Sequence, residues 1–178
     1  MPDFLADCAK CAALCCVAPS FSKSDDFAFD KPAHTACPHL RRDHRCDIHA
    51  ELVGRGFRGC AHYDCSGAGP RVTAMFAASS RDDPAVASTM LAVFLVVRVL
   101  HEELLLLETA RRVQLDGDLD GALGRELGRM RDELERAGQG TVDELVCVDA
   151  FGLRKRNRAL LSRIGRAIGG KARLFILD

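Results

Sequence analysis

The chain has 178 residues, 48% of them apolar and 28% charged. That is a globular composition, long enough for one ordinary domain or for a small domain beside a helical one. Its 25 basic residues balance 25 acidic ones, so net charge points to no partner. The charges are unevenly spread: 8 basic and 9 acidic residues in 1–70, 9 and 15 in 71–149, and 8 and 1 in 150–178. An acidic middle therefore adjoins a basic tail.

Taken in chain order, the N-terminus carries Asp3 and Asp7 and has no basic segment ahead of an apolar run, so it does not read as a secretory signal. Eight of the nine cysteines then fall between Cys8 and Cys65. Such crowding means disulfides or metal. Without a route to an oxidising compartment the thiols are expected to stay reduced in the cytosol, which favours metal. If residues 8–16 form a helix, Cys8, Cys11 and Cys15 lie within one stripe about 60° wide, and Cys16 projects about 100° away, towards a second metal or the side of the first. Cys37, Cys46, Cys60 and Cys65 follow singly. The run Ser66-Gly67-Ala68-Gly69-Pro70 reads as a turn or linker, and no clear period extends from there to Arg81.

Asp82-Asp83-Pro84 predicts an acidic N-cap and a helix running to about Val113. Its first half, through residue 100, is apolar all round and fits a buried core helix better than a membrane span, because Arg98, His101, Glu102 and Glu103 interrupt it. A second helix, from about Leu119 to Ala137, carries Leu119, Leu123, Leu127, Met130 and Leu134 at steps of three and four, and Gly138 and Gly140 stop it. Thr141 and Glu144 form a capping box for a short helix. Asp149 caps the next, which reaches Ile168 with a stripe of Leu153, Leu160, Ile164 and Ile168 and ends at Gly169-Gly170. The sequence carries no hairpin signal and no repeat. The expected architecture is all-α: an irregular, metal-stapled Cys-rich module over 1–69, packed on a bundle of about four helices over 82–170, with a tail at 171–178.

Eight thiols suit two four-coordinate sites, or one iron–sulfur cluster with further ligands. Thiolate is soft, so zinc, iron–sulfur and monovalent copper compete for it, while magnesium and calcium are excluded. Only Cys8 and Cys11 have the C-x2-C spacing that structural zinc usually shows twice, which tips the balance slightly towards iron–sulfur. The pattern C-x2-C-x3-C-C, followed by Cys37-Pro38-His39-Leu40, Arg45-Cys46-Asp47-Ile48-His49 and Gly59-Cys60, resembles the YkgJ-type cysteine-cluster family, whose members are described as zinc- or iron-chelating, or iron–sulfur, proteins. Residues 8–69, together with the helical stretch near Met90 to Leu106, are similar to the N-terminal region of actinobacterial pentapeptide-repeat proteins. There a right-handed β-helix follows; this chain has no such repeat. The resemblance implies Cys8, Cys11, Cys15, Cys16, Cys37, Cys46, Cys60 and Cys65 as metal ligands and transfers no catalytic residue.

Among the remaining groups, His34, His39, His44, His49 and His62 lie between the cysteines. With eight thiols at hand each is expected beside the ligands or facing solvent, His49 being the best candidate ligand. His101-Glu102-Glu103 reads as a surface helix face, because neighbours on a helix point about 100° apart. Cys147 reads as a buried small hydrophobe. The basic run Arg154-Lys155-Arg156-Asn157-Arg158 lacks interleaved aromatics and any DNA-binding motif, so pairing with the acidic stretch 116–144 is expected over nucleic acid. Phosphate loops, nucleophile elbows and HExxH helices are absent. The expected function is a cytosolic metal-binding protein with a structural zinc or iron–sulfur site and a helical surface for a protein partner, with no membrane. The alternative is an iron–sulfur redox enzyme or electron carrier.

Overall fold

The computed structural model describes residues 4–76, 83–139, 145 and 147–168. These residues are mostly helical: α1 (Leu14–Val17), α2 (Arg58–His62), α3 (Ala68–Ala74), α4 (Pro84–Ala110), α5 (Gly117–Gln139) and α6 (Ala150–Ala167), with short 3-10 turns at Cys8–Lys10 and His49–Glu51. Extended structure among them is limited to isolated antiparallel bridges, Phe21 with Lys31 and Leu40 with Cys46. The chain divides into two compact units, Met1–Arg98 and Val99–Asp178, so α4 contributes to both.

In the first unit the chain from 8 to 17 is not one helix, which corrects the expected thiol stripe. The 3-10 turn capped by Asp7 ends at Cys11 in extended backbone, and Ala13 adopts φ 57° before α1 begins. A left-handed residue cannot continue a right-handed helix. Downstream, Phe21 stacks on Phe27 with ring centroids 4.2 Å apart, and Phe29 meets Phe57 edge-on at 5.1 Å, a small aromatic core that closes the 21–31 loop. The stretch 66–70 is only in part a turn. Ser66 and Gly67 take φ 49° and 76°, reversing the chain, and Ala68 then opens α3, an element the sequence pattern does not show. Ala68, Gly69, Val72 and Thr73 of α3 are buried.

Helix α4 begins where expected: the Asp83 carboxylate accepts the Ala85 N–H at 2.8 Å. Met90, Leu91, Val93, Phe94 and Val97 on its first half are buried. No helix of the described residues is long and apolar enough to cross a membrane.

The second unit follows the predicted stripes closely. Asp116 caps α5 by accepting the Leu119 N–H at 2.9 Å, and Leu119, Leu123, Leu127, Met130 and Leu134 are all buried. Asp149 caps α6 through the Gly152 N–H at 2.8 Å, with Leu153, Leu160 and Ile164 buried and Ile168 half-buried at the C-cap. Asn157 of α6 meets Met130 of α5, while Leu160 and Arg163 line a cleft with Ala122, Glu126 and Arg129, so the two helices run antiparallel. The capping box at Thr141 and Glu144, the Gly169-Gly170 stop and the 171–178 tail lie outside the described residues.

Two expectations for this unit are corrected. His101 and Glu103 are buried, not on a surface face. Glu103 accepts from Asn157 Nδ2 at 3.0 Å and pairs with Arg154 Nε at 3.3 Å, while Glu102 takes Arg154 at 2.6 Å. The carboxylates can turn inward because α6 brings a guanidinium and an amide to meet them. Among the described residues the Arg154 cation thus pairs with α4, through Glu102 and Glu103. Cys147 is exposed, because it sits in the turn ahead of the Asp149 cap and not on an apolar stripe.

Candidate metal centre

All eight clustered cysteines belong to the first unit, and all are free thiols. Their surroundings divide them into two sets that touch at the adjacent pair Cys15-Cys16. In the first set, Cys11 and Cys65 close on α3 at Gly69. A Cβ at that position would stand 2.7 Å from Cys11 Sγ and in ordinary contact with Cys65 Sγ at 3.5 Å, so glycine is what leaves the Cys11 sulfur its place. Cys65 is also the thiol that acts most strongly on Cys8, and Cys15 senses both Cys11 and Cys8. Cys8, Cys11, Cys15 and Cys65 form a first candidate set, which Cys16 adjoins through Cys8 and Cys15.

The second set is built on two loops. The Cys37 N–H donates to the Cys16 carbonyl at 3.1 Å, which ties α1 to the loop that follows Pro32. A tight reversal then joins Cys37 to Cys46: the Leu40 N–H reaches the Cys37 carbonyl at 2.9 Å, Leu40 bridges Cys46, and His44 turns the chain at φ 63°. Cys60 sits on α2 and senses Cys16, Cys37 and Cys46. The residue before it, Gly59, lies beneath the Phe27 ring, where a Cβ would come within 2.3 Å of the ring carbon Cζ. This set is Cys16, Cys37, Cys46 and Cys60.

Several sulfurs have backbone amides beside them. The His39 N–H stands beside Cys37, that of Ile48 beside Cys46, and those of Leu14 and Ala13 beside Cys11, while the Thr73 hydroxyl donates to the Gly69 carbonyl at 2.9 Å. Amides beside sulfur favour its thiolate form. They oppose burial, the largest influence on Cys8, Cys11, Cys37, Cys46 and Cys60, which pushes these thiols up, Cys60 to about 11. Neighbouring sulfurs push in the same direction as burial, since each thiolate disfavours the next. In the adjacent pair the Cys15 thiol donates to Cys16, which lowers Cys16 and raises Cys15. Crowded, desolvated thiols of this kind hold protons until a cation replaces them.

As the side chains stand, no three Cys, His, Asp or Glu donors among the described residues are drawn tightly enough to hold a metal ion. The histidines lie around the sulfurs. His39 packs between Phe29 and Phe57 and points Nδ1 at Asp47, 3.2 Å away. His49 lines an open cleft with Cys8, Cys60, Tyr63 and Asp64, so one thiol from each set opens on the same surface. Three residues of this region escape sequence reasoning: Gly69, Thr73 and Lys31. Thr73 accepts the Ala12 N–H at 2.9 Å and pins the Cys11 loop to α3. Lys31 is buried with its ammonium on three carbonyls. The aspartate-lysine-proline run at 30–32 carries no signal of that burial, because a lysine in a loop ordinarily faces solvent.

No family model matches the chain, and no solved structure matches it. It is 34% identical over 173 residues to the uncharacterized protein YybG of Bacillus subtilis (strain 168), an alignment that covers 96% of this chain and 61% of that protein. The chain thus spans about three fifths of the length of the relative it resembles along nearly all of its own.

Proposed function

We propose that the chain is a metal-binding protein whose two thiol sets each take one metal, and that the metal holds the Cys-rich part of the first unit in its fold. The observation that carries this reading is the crowding of eight free thiols into the first unit, where Cys11 and Cys65 both lie against Gly69 and the Cys37 N–H donates to the Cys16 carbonyl at 3.1 Å. Packing as small hydrophobes does not call for eight thiols in so small a unit, whereas two four-sulfur sites use them all. The donor set fits a soft four-coordinate ion: four sulfurs per set and no carboxylate required. Zinc would supply a fixed tetrahedral crosslink, and the residues that hold it would be Cys8, Cys11, Cys15 and Cys65 in one set and Cys16, Cys37, Cys46 and Cys60 in the other. Free thiols accord with a reducing, cytoplasmic setting. The resemblance of the cysteine pattern from Cys8 to Cys60 to the YkgJ-type cluster agrees with the same role.

The second reading is an iron–sulfur redox centre. It is favoured by the exposure of Cys8 and Cys60 on one cleft, since a purely structural site is usually closed. Anaerobic purification followed by analysis for zinc, iron and acid-labile sulfide, with a visible spectrum, separates the two. Two zinc ions per chain without sulfide is the expected result. Iron and sulfide in roughly equal amounts would move the centre to the redox reading. A preparation without bound metal that also takes up none would end both.

A further inference from the structure

We propose that Lys31 is a built-in counter-cation for the set Cys16, Cys37, Cys46 and Cys60, and that it makes this set hold metal more tightly than the set Cys8, Cys11, Cys15 and Cys65. The inference deepens the metal-binding reading and rests on it.

Lys31 is 3% exposed, and its ammonium donates to the carbonyls of Val17 at 3.1 Å, Pro32 at 3.1 Å and Thr35 at 2.8 Å. These hydrogen bonds use every donor a lysine has. They also fix its position: Val17 follows Cys16, and Thr35 lies two residues before Cys37. The same junction is closed by the Cys37 N–H on the Cys16 carbonyl and by the His34 N–H on the Ala18 carbonyl, 3.2 Å away. The Phe21 ring covers the ammonium from one side at 5.5 Å. Carbonyl dipoles solvate a cation without neutralising it, and a buried cation is costly unless an anion stands near. Among the described residues no carboxylate forms an ion pair with Lys31. The groups of opposite sign within its reach are Cys37, Cys16 and Cys60.

Four thiolates on a divalent ion leave an excess of two negative charges. The ammonium offsets half of that excess in the second set. Carboxylates stand near both sets: Asp47 acts on Cys37 and Cys46 in the second, and Asp7 and Asp64 on Cys8 in the first, where Lys10, the cation paired with Asp7 at 3.1 Å, is exposed. One fold thus offers two thiol sites of the same ligand type, of which the second has a buried cation beside it.

The test is a titration of the reduced, metal-free full chain with cobalt(II), followed by sulfur-to-cobalt charge-transfer absorption and displaced by zinc in competition with a chelator. Wild type should show two classes of site. Cys60→Ser should delete the tighter class and Cys65→Ser the weaker. Lys31→Met, which keeps the stem and removes the charge, should weaken the tighter class by about 10- to 100-fold and leave the weaker in place. Lys31→Arg, which keeps the charge, should recover most of that loss. Equal losses in both classes, equal losses in the Met and Arg variants, or no loss at all would each overturn the role of Lys31. A wild type with one affinity for both sites would refute the inequality while metal binding stood. A wild type that binds no cobalt would remove the metal-binding reading and this one with it.

Discussion

At Gly69 the absence of a side chain is what lets the Cys11 sulfur lie against α3. A Cβ there would sit 2.7 Å from Cys11 Sγ, closer than van der Waals contact, and the sulfur would have to leave its place against α3. Gly69→Ala should therefore destabilise the first unit by about 1–3 kcal/mol and weaken cobalt uptake by the Cys65-containing set. Gly124→Ala is the control: that glycine lies within α5 with nothing within 4 Å of a new Cβ, and alanine there should gain up to ~1 kcal/mol by helix propensity. Denaturant titration and cobalt binding on both variants check the pair, and equal behaviour would show that Gly69 is not a packing constraint. The crowding of eight cysteines in one part of the chain was legible from the sequence, and all eight fall in the first unit. Gly69, Thr73 and Lys31 were not, because their roles depend on which distant segment the chain brings against them, and a glycine, a threonine and a loop lysine look ordinary in one dimension.

Elements divide along the same line. Helices α4, α5 and α6 were readable because their apolar positions recur at helical spacing and Asp83 and Asp149 supply side-chain caps. Helix α3 was not, because seven residues containing Gly69 and Pro70 show no period, and burial against the cysteine loops decides the matter instead. The 8–17 segment failed in the opposite direction: its spacing fits a helix, but Ala13 turns left-handed, and its four thiols sit on a curled loop and the short α1. Between elements, the buried carboxylate of Glu103 joins α4 to α6 through Asn157 and Arg154. Glu103→Ala would leave the Asn157 amide short of a partner inside the unit, while Arg154 is more than a third exposed and keeps Glu102. The expected loss is about 2–3 kcal/mol in the second unit. Thermal unfolding followed by circular dichroism would show it, and a change within error would mean that α4 and α6 are joined by apolar packing alone.

On the scale of the whole molecule the two units differ in what can hold them. The second buries Leu100, Leu104, Leu107, Leu123, Leu127, Met130, Leu145 and Ile164 almost completely, each worth roughly 2 kcal/mol. Between residues 4 and 65 the buried large apolar side chains are Leu14, Ile48 and Phe57. So small a core fits the proposed metal staple, since metal–thiolate bonding supplies about 10–16 kcal/mol per structural zinc in small Cys-rich domains. Removing metal from the full chain with a strong chelator under reducing conditions should therefore abolish amide-exchange protection over 4–65 while α5 and α6 keep theirs. Because exchange is read residue by residue, it distinguishes local collapse from a general loss of stability. Full protection over 4–65 after complete metal removal would refute the staple, since the aromatic contacts of Phe21, Phe27, Phe29 and Phe57 would then suffice. Loss of protection in both units together would instead mean that the second unit folds only when the first is closed.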